Sequence, residues 1–180
     1  LKGRTVNKIK LNAYAARMKN GDEQAFAAVY ESTKKGVFSY IYSITGDYAV
    51  SEELMQDTYV KVKQNISSFK EVNFSAWIIQ IARNLAYNHV KRASREICTD
   101  DYAPFEKSGY SMDEEGAPVF AAVRAALRDE EAEIVILHVV GGYKHREIAE
   151  ILKKPLGTVT WTYKNALAKL KAYIEAEEER

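Results

Sequence analysis

The sequence is poor in the residues that build disulfide scaffolds, tight turns and membrane spans. Its 180 residues include one cysteine, Cys98, three prolines and nine glycines. An internal disulfide is therefore excluded, and a fold made of many tight turns is disfavoured. A signal peptide and an apolar run of membrane length are also lacking. We expect a helical protein of a reducing compartment, the cytoplasm, without direct membrane insertion.

Hydrophobic residues make up 47% of the chain and charged residues 28%, a balance typical of globular proteins. The net charge is only +1, but the charges are unevenly distributed. Basic residues are in excess in residues 1–98 and 134–180, whereas acidic residues are in excess in 99–133. Two basic blocks flanking an acidic middle favour nucleic-acid binding. An ordinary charged surface is the alternative interpretation.

Helix-breaking residues cluster between the two basic blocks. Residues 99–118 contain Pro104, Gly109, Gly116 and Pro118 and have little apolar periodicity, which is typical of a linker. The rest follows helical spacing, with no credible strand pattern. We therefore predict an all-α fold of two small helical domains, residues 13–98 and 119–176, joined by a flexible acidic linker over 99–118.

Three helices are predicted in the N-terminal domain after residue 20. One starts at Gly21 or Asp22 and ends at Gly46, and the next follows Asp47. The third begins near Ser75, a candidate N-cap. The apolar faces of the second and third helices comprise Met55, Tyr59, Val62 and Ile66, and Ile78, Ile81, Ala82 and Leu85. In the C-terminal domain helices are predicted over 119–127 and 130–140.

A helix-turn-helix is predicted near the C-terminus. An amphipathic helix over 144–152 precedes Pro155 and Gly157, which favour a turn, and Thr158 is a candidate cap for a second helix. The predicted inward residues of that helix are Val159, Tyr163, Leu167, Leu170 and Ile174. Its predicted exposed residues are Thr158, Thr160, Trp161 and Lys164. Such a helix reads the major groove in many DNA-binding proteins, although helical bundles use similar turns.

Two further surfaces have distinctive chemistry. The amide-cation stripe on the helix after Ser75 comprises Gln80, Arg83, Asn84, Tyr87, Asn88 and Lys91, and it is preceded by Phe69, Lys70, Asn73, Phe74 and Trp77. Rings stack on unpaired bases while cations hold phosphates, so this composition suits single-stranded DNA. The acidic stripe on the helix after Asp47 comprises Glu53, Gln56, Asp57 and Val60, which suits a basic protein partner. A solvated face, or aromatic residues filling the core, is the alternative.

Signals for catalysis are missing. His89, His138, His145 and Cys98 lack metal-ligand spacing, and the sequence has neither a glycine-rich phosphate loop nor a nucleophile motif. We therefore expect no cofactor, no small-molecule substrate and no enzymatic activity.

Four segments together resemble the sigma-70 family of RNA polymerase sigma factors, in particular the extracytoplasmic-function (ECF) type. They are residues 21–26 (GDEQAF), 47–59, 74–86 and 142–159. The first looks like the family's opening helix and the second like its polymerase-binding helix. The third is similar to the promoter-melting segment of region 2, and the fourth to the helix-turn-helix of region 4.

This resemblance implies a transcription-initiation factor whose partners are core RNA polymerase, through its β′ and β subunits, promoter DNA and an anti-sigma factor. The implied polymerase-binding residues are Asp47, Glu53, Gln56, Asp57 and Val60. The implied residues for strand capture at the −10 element are Lys70, Asn73, Phe74, Arg83, Asn84, Tyr87, Asn88 and Lys91. The implied residues for reading the −35 duplex are Lys153, Lys154, Thr158, Thr160, Trp161 and Lys164.

The sequence departs from the family at the helix-turn-helix. Lys153 and Lys154 replace the usual glycine and apolar residue, and Thr160, Trp161 and Thr162 replace a basic-hydroxyl-basic run. Fewer cations weaken phosphate anchoring. The alternative is therefore a sigma-like protein that binds polymerase or an anti-sigma factor without reading DNA. An ordinary helix-turn-helix repressor would leave the N-terminal segments unexplained.

Overall fold

The computed structural model describes residues 8–70, 73–96 and 117–178 of the chain. Within these ranges the secondary structure is helical, with one short 3₁₀ turn at Ile66–Ser68. The α-helices are α1 Lys8–Lys19, α2 Glu23–Thr45, α3 Tyr48–Asn65, α4 Phe74–Glu96, α5 Ala117–Ala126, α6 Asp129–Val139, α7 His145–Leu152 and α8 Leu156–Glu178. The all-α prediction is confirmed. Cys98 and nearly all of the predicted linker lie outside the described residues.

Local capping chemistry sets the ends of α2 and α3. The Asp22 carboxylate accepts hydrogen bonds from the backbone N–H groups of Gln24 and Ala25, and Asp47 accepts one from Val50 at 2.9 Å. Aspartate is favoured at this position because it satisfies free N–H groups in the first helical turn. Gly46 ends α2 with φ of 70°, a left-handed conformation that glycine adopts without steric cost. The predicted boundary at Gly46 and Asp47 is therefore confirmed.

The N-terminal bundle packs α2, α3 and α4 together, with α1 across α2 and α4. Tyr40, Ile41, Phe74 and Ile78 are among its fully buried side chains. Helix α1 is an element that the sequence analysis did not predict. It buries Leu11, Ala15 and Met18, and the Asn12 side chain accepts a hydrogen bond from the Phe74 N–H at 3.0 Å.

The C-terminal helices share their core with the N-terminal bundle. Phe120, Val123, Val135 and Ala166 form a separate small cluster under α5, α6 and α8. In contrast, Ile134 and Leu137 of α6, with the buried apolar residues of α7, belong to the same cluster as the N-terminal core. The apolar burial that stabilises the helix-turn-helix is thus continuous with the core of α1–α4.

Four details of the sequence analysis are wrong. Helix α4 starts at Phe74, and the Asn73 side chain, not Ser75, accepts from the N–H of Ala76 at 3.2 Å. Helix α8 starts at Leu156, so Thr158 lies inside its first turn and is not a cap. The predicted inward residues Leu167 and Ile174 are 42% and 46% exposed. Val159 is buried as predicted, and the other buried residues of α8 are Thr162 and Ala166, which were not predicted.

None of the helices in the described ranges is long and apolar enough to cross a membrane.

Candidate nucleic-acid and protein interfaces

The acidic stripe lies on the outer face of α3. Glu53, Gln56 and Asp57 are exposed, and Val60 is 52% exposed although it is aliphatic. Asp47, which the resemblance grouped with them, is half-buried at the N-terminus of the helix and caps it. Two side-chain carboxylates, an amide and an apolar side chain therefore share one accessible face.

An apolar groove of about 620 Å³ adjoins the acidic stripe. Phe26 and Tyr30 of α2 form one side, and Tyr59 and Val60 of α3 form the other. The rings of Tyr30 and Tyr59 meet edge to face with centroids 4.8 Å apart. Phe26 and Tyr30 were not predicted as site residues, because their one signal is an i, i+4 aromatic pair that also occurs in ordinary cores.

The amide-cation stripe on α4 is divided by the tertiary structure. Asn84, Asn88 and Lys91 are exposed, as is Lys70 before the helix. Arg83 and Tyr87 point towards α6 instead. Their partner is Glu133, which is 3% exposed and accepts a hydrogen bond from Arg83 Nε at 2.9 Å.

The Glu133 carboxylate is surrounded by donors from the N-terminal bundle. Tyr40 donates its hydroxyl to Oε1, and the Tyr87 hydroxyl lies 3.5 Å from Oε2. The Arg83 guanidinium also lies 4.8 Å from the centroid of the Tyr87 ring. Burial and the Glu133 charge raise the pKa of Tyr87 to about 12 and that of Tyr40 well above its usual value. Both tyrosines therefore remain proton donors at neutral pH.

The segment before α4 is anchored in the core. Asn73 is the N-cap of α4, and Phe74 is fully buried. The rings of Phe69, Phe74 and Trp77 contact one another, and the Phe74 centroid lies 5.0 Å from that of Phe69 and 5.7 Å from that of Trp77. Phe74 is therefore not presented to solvent, and the half-buried Trp77 packs against the same cluster. The aromatic residues near α4 therefore anchor the start of this helix in the core more than they offer a surface on which DNA bases could stack.

The turn of the helix-turn-helix is made by Lys153 in a left-handed conformation, with φ of 53°. The N–H of Lys154 donates to the carbonyl of Ala149 at 2.9 Å, which closes the end of α7. At the other end of α7, the Glu147 carboxylate accepts from the N–H of Lys144 at 2.6 Å. The N–H of Val159 donates to the carbonyl of Pro155, which begins α8.

The candidate DNA-reading residues of α8 differ in accessibility. Trp161 is 67% exposed, and Thr158 and Lys164 are also exposed. Thr160 is half-buried and donates its hydroxyl to the carbonyl of Leu156 at 2.9 Å. In the turn Lys153 is exposed, whereas Lys154 forms an ion pair of 2.7 Å with Glu130.

Three rings, one each from α6, α7 and α8, pack together beneath the helix-turn-helix. His138, His145 and Tyr163 lie with centroids 4.7 to 4.8 Å apart in each pair. His138 Nδ1 donates to the carbonyl of Tyr143 at 2.8 Å. His145 Nδ1 lies 3.5 Å from the Thr160 hydroxyl, and its buried Nε2 has no hydrogen-bond partner. Burial, and secondarily the neighbouring His138, lower the pKa of His145 below its usual value. Among the described residues, no group of three or more possible ligands could hold a metal ion.

Comparison with known families identifies both halves of this arrangement. The family model described as "Sigma-70 region 2" matches residues 29–96, and the one described as "Sigma-70, region 4" matches residues 123–170. The chain belongs to the sigma-70 family. Region 2 therefore includes most of α2 and all of α3 and α4, and region 4 includes the helix-turn-helix.

Curated relatives of this sigma-70 chain include several ECF RNA polymerase sigma factors. SigW of Bacillus subtilis is 25% identical over 79% of this chain and 85% of its own length. BldN of Streptomyces coelicolor is 28% identical over 79% of this chain, but the match spans only 58% of BldN. SigK of Mycobacterium tuberculosis is 26% identical over 92% of this chain and 94% of its own length.

Solved structures show the same fold. CnrH, in complex with the cytosolic domain of CnrY, matches with a TM-score of 0.72 and 21% identity, over 93% of this chain and 98% of that one. The sigma factor RpoE of Bartonella quintana, in complex with the anti-sigma factor NepR, matches with a TM-score of 0.68 and 22% identity. That match covers 83% of this chain and 96% of RpoE.

The contact between regions 2 and 4 was not predicted at the level of residues. Tyr40, Arg83 and Tyr87 belong to region 2 and Glu133 to region 4, separated by up to 93 positions in the sequence. A second polar contact joins the hydroxyls of Ser75 and Tyr143. Little in the sequence signalled this contact, because Glu133 follows three other acidic residues, Asp129, Glu130 and Glu131, at the start of α6 of this sigma-70 chain.

Proposed function

We propose that this sigma-70 chain is an ECF-type transcription-initiation factor that binds core RNA polymerase and directs it to specific promoters. The observation that carries the proposal is the presence, in one chain, of both sigma-70 regions 2 and 4. A protein that only bound duplex DNA would not need region 2. A protein that only bound polymerase would not need an exposed helix-turn-helix. Catalysis then belongs to the polymerase, and the chain acts in the cytoplasm.

The polymerase-binding surface is proposed to be the acidic stripe together with the adjoining apolar groove. Glu53 and Asp57 would attract a basic helical element of the β′ subunit, because complementary charge steers and orients docking. Val60 and the rings of Tyr30 and Tyr59 would then bury apolar area at the centre of the contact. This combination matches the usual anatomy of a protein interface, in which an apolar centre has a polar rim.

Capture of the non-template strand at the −10 element is proposed for the exposed part of the amide-cation stripe. Asn84 and Asn88 offer amides to base edges, and Lys70 and Lys91 offer cations to phosphates. Arg83 and Tyr87 would join them once released from Glu133. Asn73 and Phe74 would act indirectly, because they cap and anchor α4.

The −35 element is proposed to be read as duplex by α8, with Thr158, Trp161 and Lys164 facing the major groove. Lys153 in the turn would contact phosphate. Thr160 is partly engaged by the backbone, and Lys154 by Glu130. The few free cations here would make phosphate anchoring weak, so the affinity of polymerase for the promoter would depend more on region 2.

The compact arrangement of regions 2 and 4 would have to open on the promoter. Elements at −10 and −35 are separated by roughly 25 base pairs, or about 85 Å at about 3.4 Å per base pair. Regions that share a core cannot contact both elements at once. The segment between the described parts of the two regions is residues 97–116. A fully extended chain of that length reaches about 70 Å, which together with the size of the two regions suffices.

An anti-sigma factor is a proposed partner. In the two similar solved structures, CnrH is in complex with the cytosolic domain of CnrY and RpoE is in complex with the anti-sigma factor NepR. In this chain, a cleft of about 750 Å³ lies between α1, α2 and α4 of the bundle and the connection from α6 to α7. Leu11, Ile79 and Val140 contribute apolar surface to it. A cleft bordered by both halves would suit a segment that holds them together.

Run-off transcription tests the main proposal. Core polymerase of the source bacterium, with and without this protein, would transcribe fragmented genomic DNA. Transcripts that require the protein are the expected result, and their aligned upstream sequences would define the promoter. Absence of such transcripts despite binding to core polymerase would favour the second candidate, a sigma-like interaction protein. The non-basic Thr160-Trp161-Thr162 run is the observation that favours this candidate.

A further inference from the structure

The outward ridge of α8 consists of Gly157, Trp161, Lys164 and Ala168, which are spaced i, i+4, i+7 and i+11 and therefore share one face. The buried residues Val159, Thr162 and Ala166 lie on the opposite side. In a helix-turn-helix the N-terminal half of the second helix enters the major groove with its outward side towards the bases. Trp161 is the one large side chain on the first two turns of this ridge.

Trp161 is more exposed than the other large apolar side chains of the described ranges, at 67%. Its neighbours on the ridge are small. A Cβ added at Gly157 would meet no atom within 4 Å, and the φ of this glycine is not in the left-handed region. Neither packing nor backbone conformation therefore requires glycine here. The open space that it leaves would allow DNA to approach closely beside the indole.

The chemistry of the ridge favours one kind of base. Bidentate recognition of guanine uses arginine or lysine, and that of adenine uses asparagine or glutamine. Helix α8 has no arginine, and none of these four residue types precedes Lys164 in it. The apolar group that B-DNA presents in the major groove is the C5 methyl of thymine. An exposed indole gains by burying apolar area against that methyl.

Resting on the proposed function, we propose that Trp161 is a specificity-determining residue that reads a thymine of the −35 duplex through its C5 methyl group. The exposed Thr158, with its own methyl group, lies at the start of the same helix and can border the contact. Sequence preference at this position then derives from apolar contact and not from a cation on a guanine.

Replacing thymine by uracil tests this inference, since it removes only the methyl group and keeps base pairing. The full chain with core polymerase would select promoter duplexes from a library randomised across the −35 region. Each −35 thymine of a selected duplex would then be replaced singly by uracil. We expect one replacement to weaken binding about fivefold or more, and replacements in the spacer to have no effect. With Trp161→Ala, the thymine duplex should bind more weakly and the uracil replacement should have no further effect.

The outcomes separate this inference from the proposed function. Equal binding of thymine and uracil duplexes by the wild type at every −35 position would overturn the role of Trp161, while selection itself would still support −35 reading. An undiminished uracil effect with Trp161→Ala would assign the methyl contact to another residue. No selected −35 sequence, despite binding to core polymerase, would overturn both. The wild-type measurement does not depend on the folding of the variant.

Discussion

The side chain of Glu133 on α6 is buried between the two regions and accepts a hydrogen bond from Arg83 Nε on α4 at 2.9 Å. Glu133 belongs to region 4, and Arg83 belongs to the face of region 2 proposed to capture the −10 strand. The Glu133 carboxylate thus contacts Arg83 and Tyr87, two of the side chains that are proposed to bind DNA. In the described ranges this is the one ion pair between the two regions, and the rest of the contact is largely apolar.

Glu133→Gln is expected to shift the chain towards separated regions. The amide keeps the shape of the side chain but removes its charge, so the hydrogen bond from Arg83 weakens. A hydrogen bond to a charged group contributes about 1.5–3 kcal/mol, less here because Arg83 is 35% exposed. A loss of about 1–2 kcal/mol corresponds to about 5- to 30-fold in the ratio of closed to open forms.

Small-angle X-ray scattering would measure this shift as a larger radius of gyration. Glu130→Gln is the matched control, because Glu130 lies on the same helix but pairs with Lys154 within region 4. A radius of gyration that changes equally in both variants, or in neither, would contradict a specific role for Glu133.

Asp57→Arg is expected to reduce binding to core polymerase by at least tenfold while leaving the fold intact. Asp57 is exposed on the acidic stripe, so the change reverses the charge that would attract the polymerase without disturbing packing. A pull-down with purified core polymerase measures the affinity. Glu150→Arg makes a matching charge change at an exposed position of α7, away from the stripe, and serves as control. Equal affinity of the Asp57 variant and the wild type would refute the proposed docking surface.

Asn84→Ala combined with Lys91→Ala is expected to impair promoter opening more than initial duplex binding. Both side chains are exposed on the amide-cation stripe, where they would hold an unpaired strand. Permanganate reactivity of thymines in the −10 region reports opening, and a mobility shift reports binding. Lys35→Ala removes an exposed cation from α2, away from the stripe, and serves as control. Unchanged permanganate reactivity in the double variant would exclude this role.

Replacing Gly36 within α2 and replacing Gly46 at its C-terminal end by alanine are expected to have opposite effects on stability. Gly46→Ala should lower the free energy of unfolding by about 1–2 kcal/mol, because its φ of 70° is unfavourable for alanine. The new Cβ would also displace the Arg124 guanidinium, whose Nη1 lies 1.6 Å from its position. Gly36→Ala should raise the free energy of unfolding by about 0.5–1 kcal/mol, since the site is helical and open. Urea unfolding compares them, and equal effects would contradict this account.

The stability of the helix-turn-helix is expected to fall as the pH drops below about 6.5. Burial lowers the pKa of His145 in the folded chain, so the unfolded chain binds a proton more readily. The destabilisation begins at the unfolded pKa and grows until the pH reaches the folded pKa. Glu131, whose pKa is lowered mainly by its hydrogen bond from Lys169, contributes a separate loss only below about 4.5.

Thermal unfolding between pH 5 and 8 measures this effect, with His145→Gln as the test variant. The variant should lack most of the decrease between pH 7 and 5 because the titrating ring is gone. His89→Gln, on α4 and away from the ring cluster, is the control. A wild-type curve that is flat over this range, or a decrease retained by the His145 variant, would contradict the assignment.

Features that depend on near neighbours in the sequence were predictable. Asp22, Gly46 and Asp47 mark helix ends because capping involves residues two to four positions apart. The helix-turn-helix was predictable for the same reason, since the turn and the buried face of α7 are local. The caps at Ser75 and Thr158 failed because a hydroxyl near a helix start has other possible partners. Ser75 bonds Tyr143 across the interface, and Pro155 provides the first carbonyl of α8.

Apolar spacing alone could not decide which side of a long helix is covered. Helix α8 contacts α5, α6 and α7, and these helices cover Val159, Thr162 and Ala166. Leu167 lies at the edge of the apolar face and stays 42% exposed. The helical period relates residues on one helix to each other, but the width of the buried face depends on how partner helices cross it.

The sequence alone was enough to predict the helical content, the capped helix boundaries, the helix-turn-helix and the family, because each depends on local propensity or on short motifs. The division of the amide-cation stripe, the burial of Phe74 and the groove that joins Phe26 and Tyr30 to α3 arose only in the folded chain. The same is true of Glu133, whose donors on α2 and α4 are at least 46 positions away. Contacts over such separations depend on how whole helices pack against each other. The periodicity of one helix cannot predict which side chain of another helix will contact it.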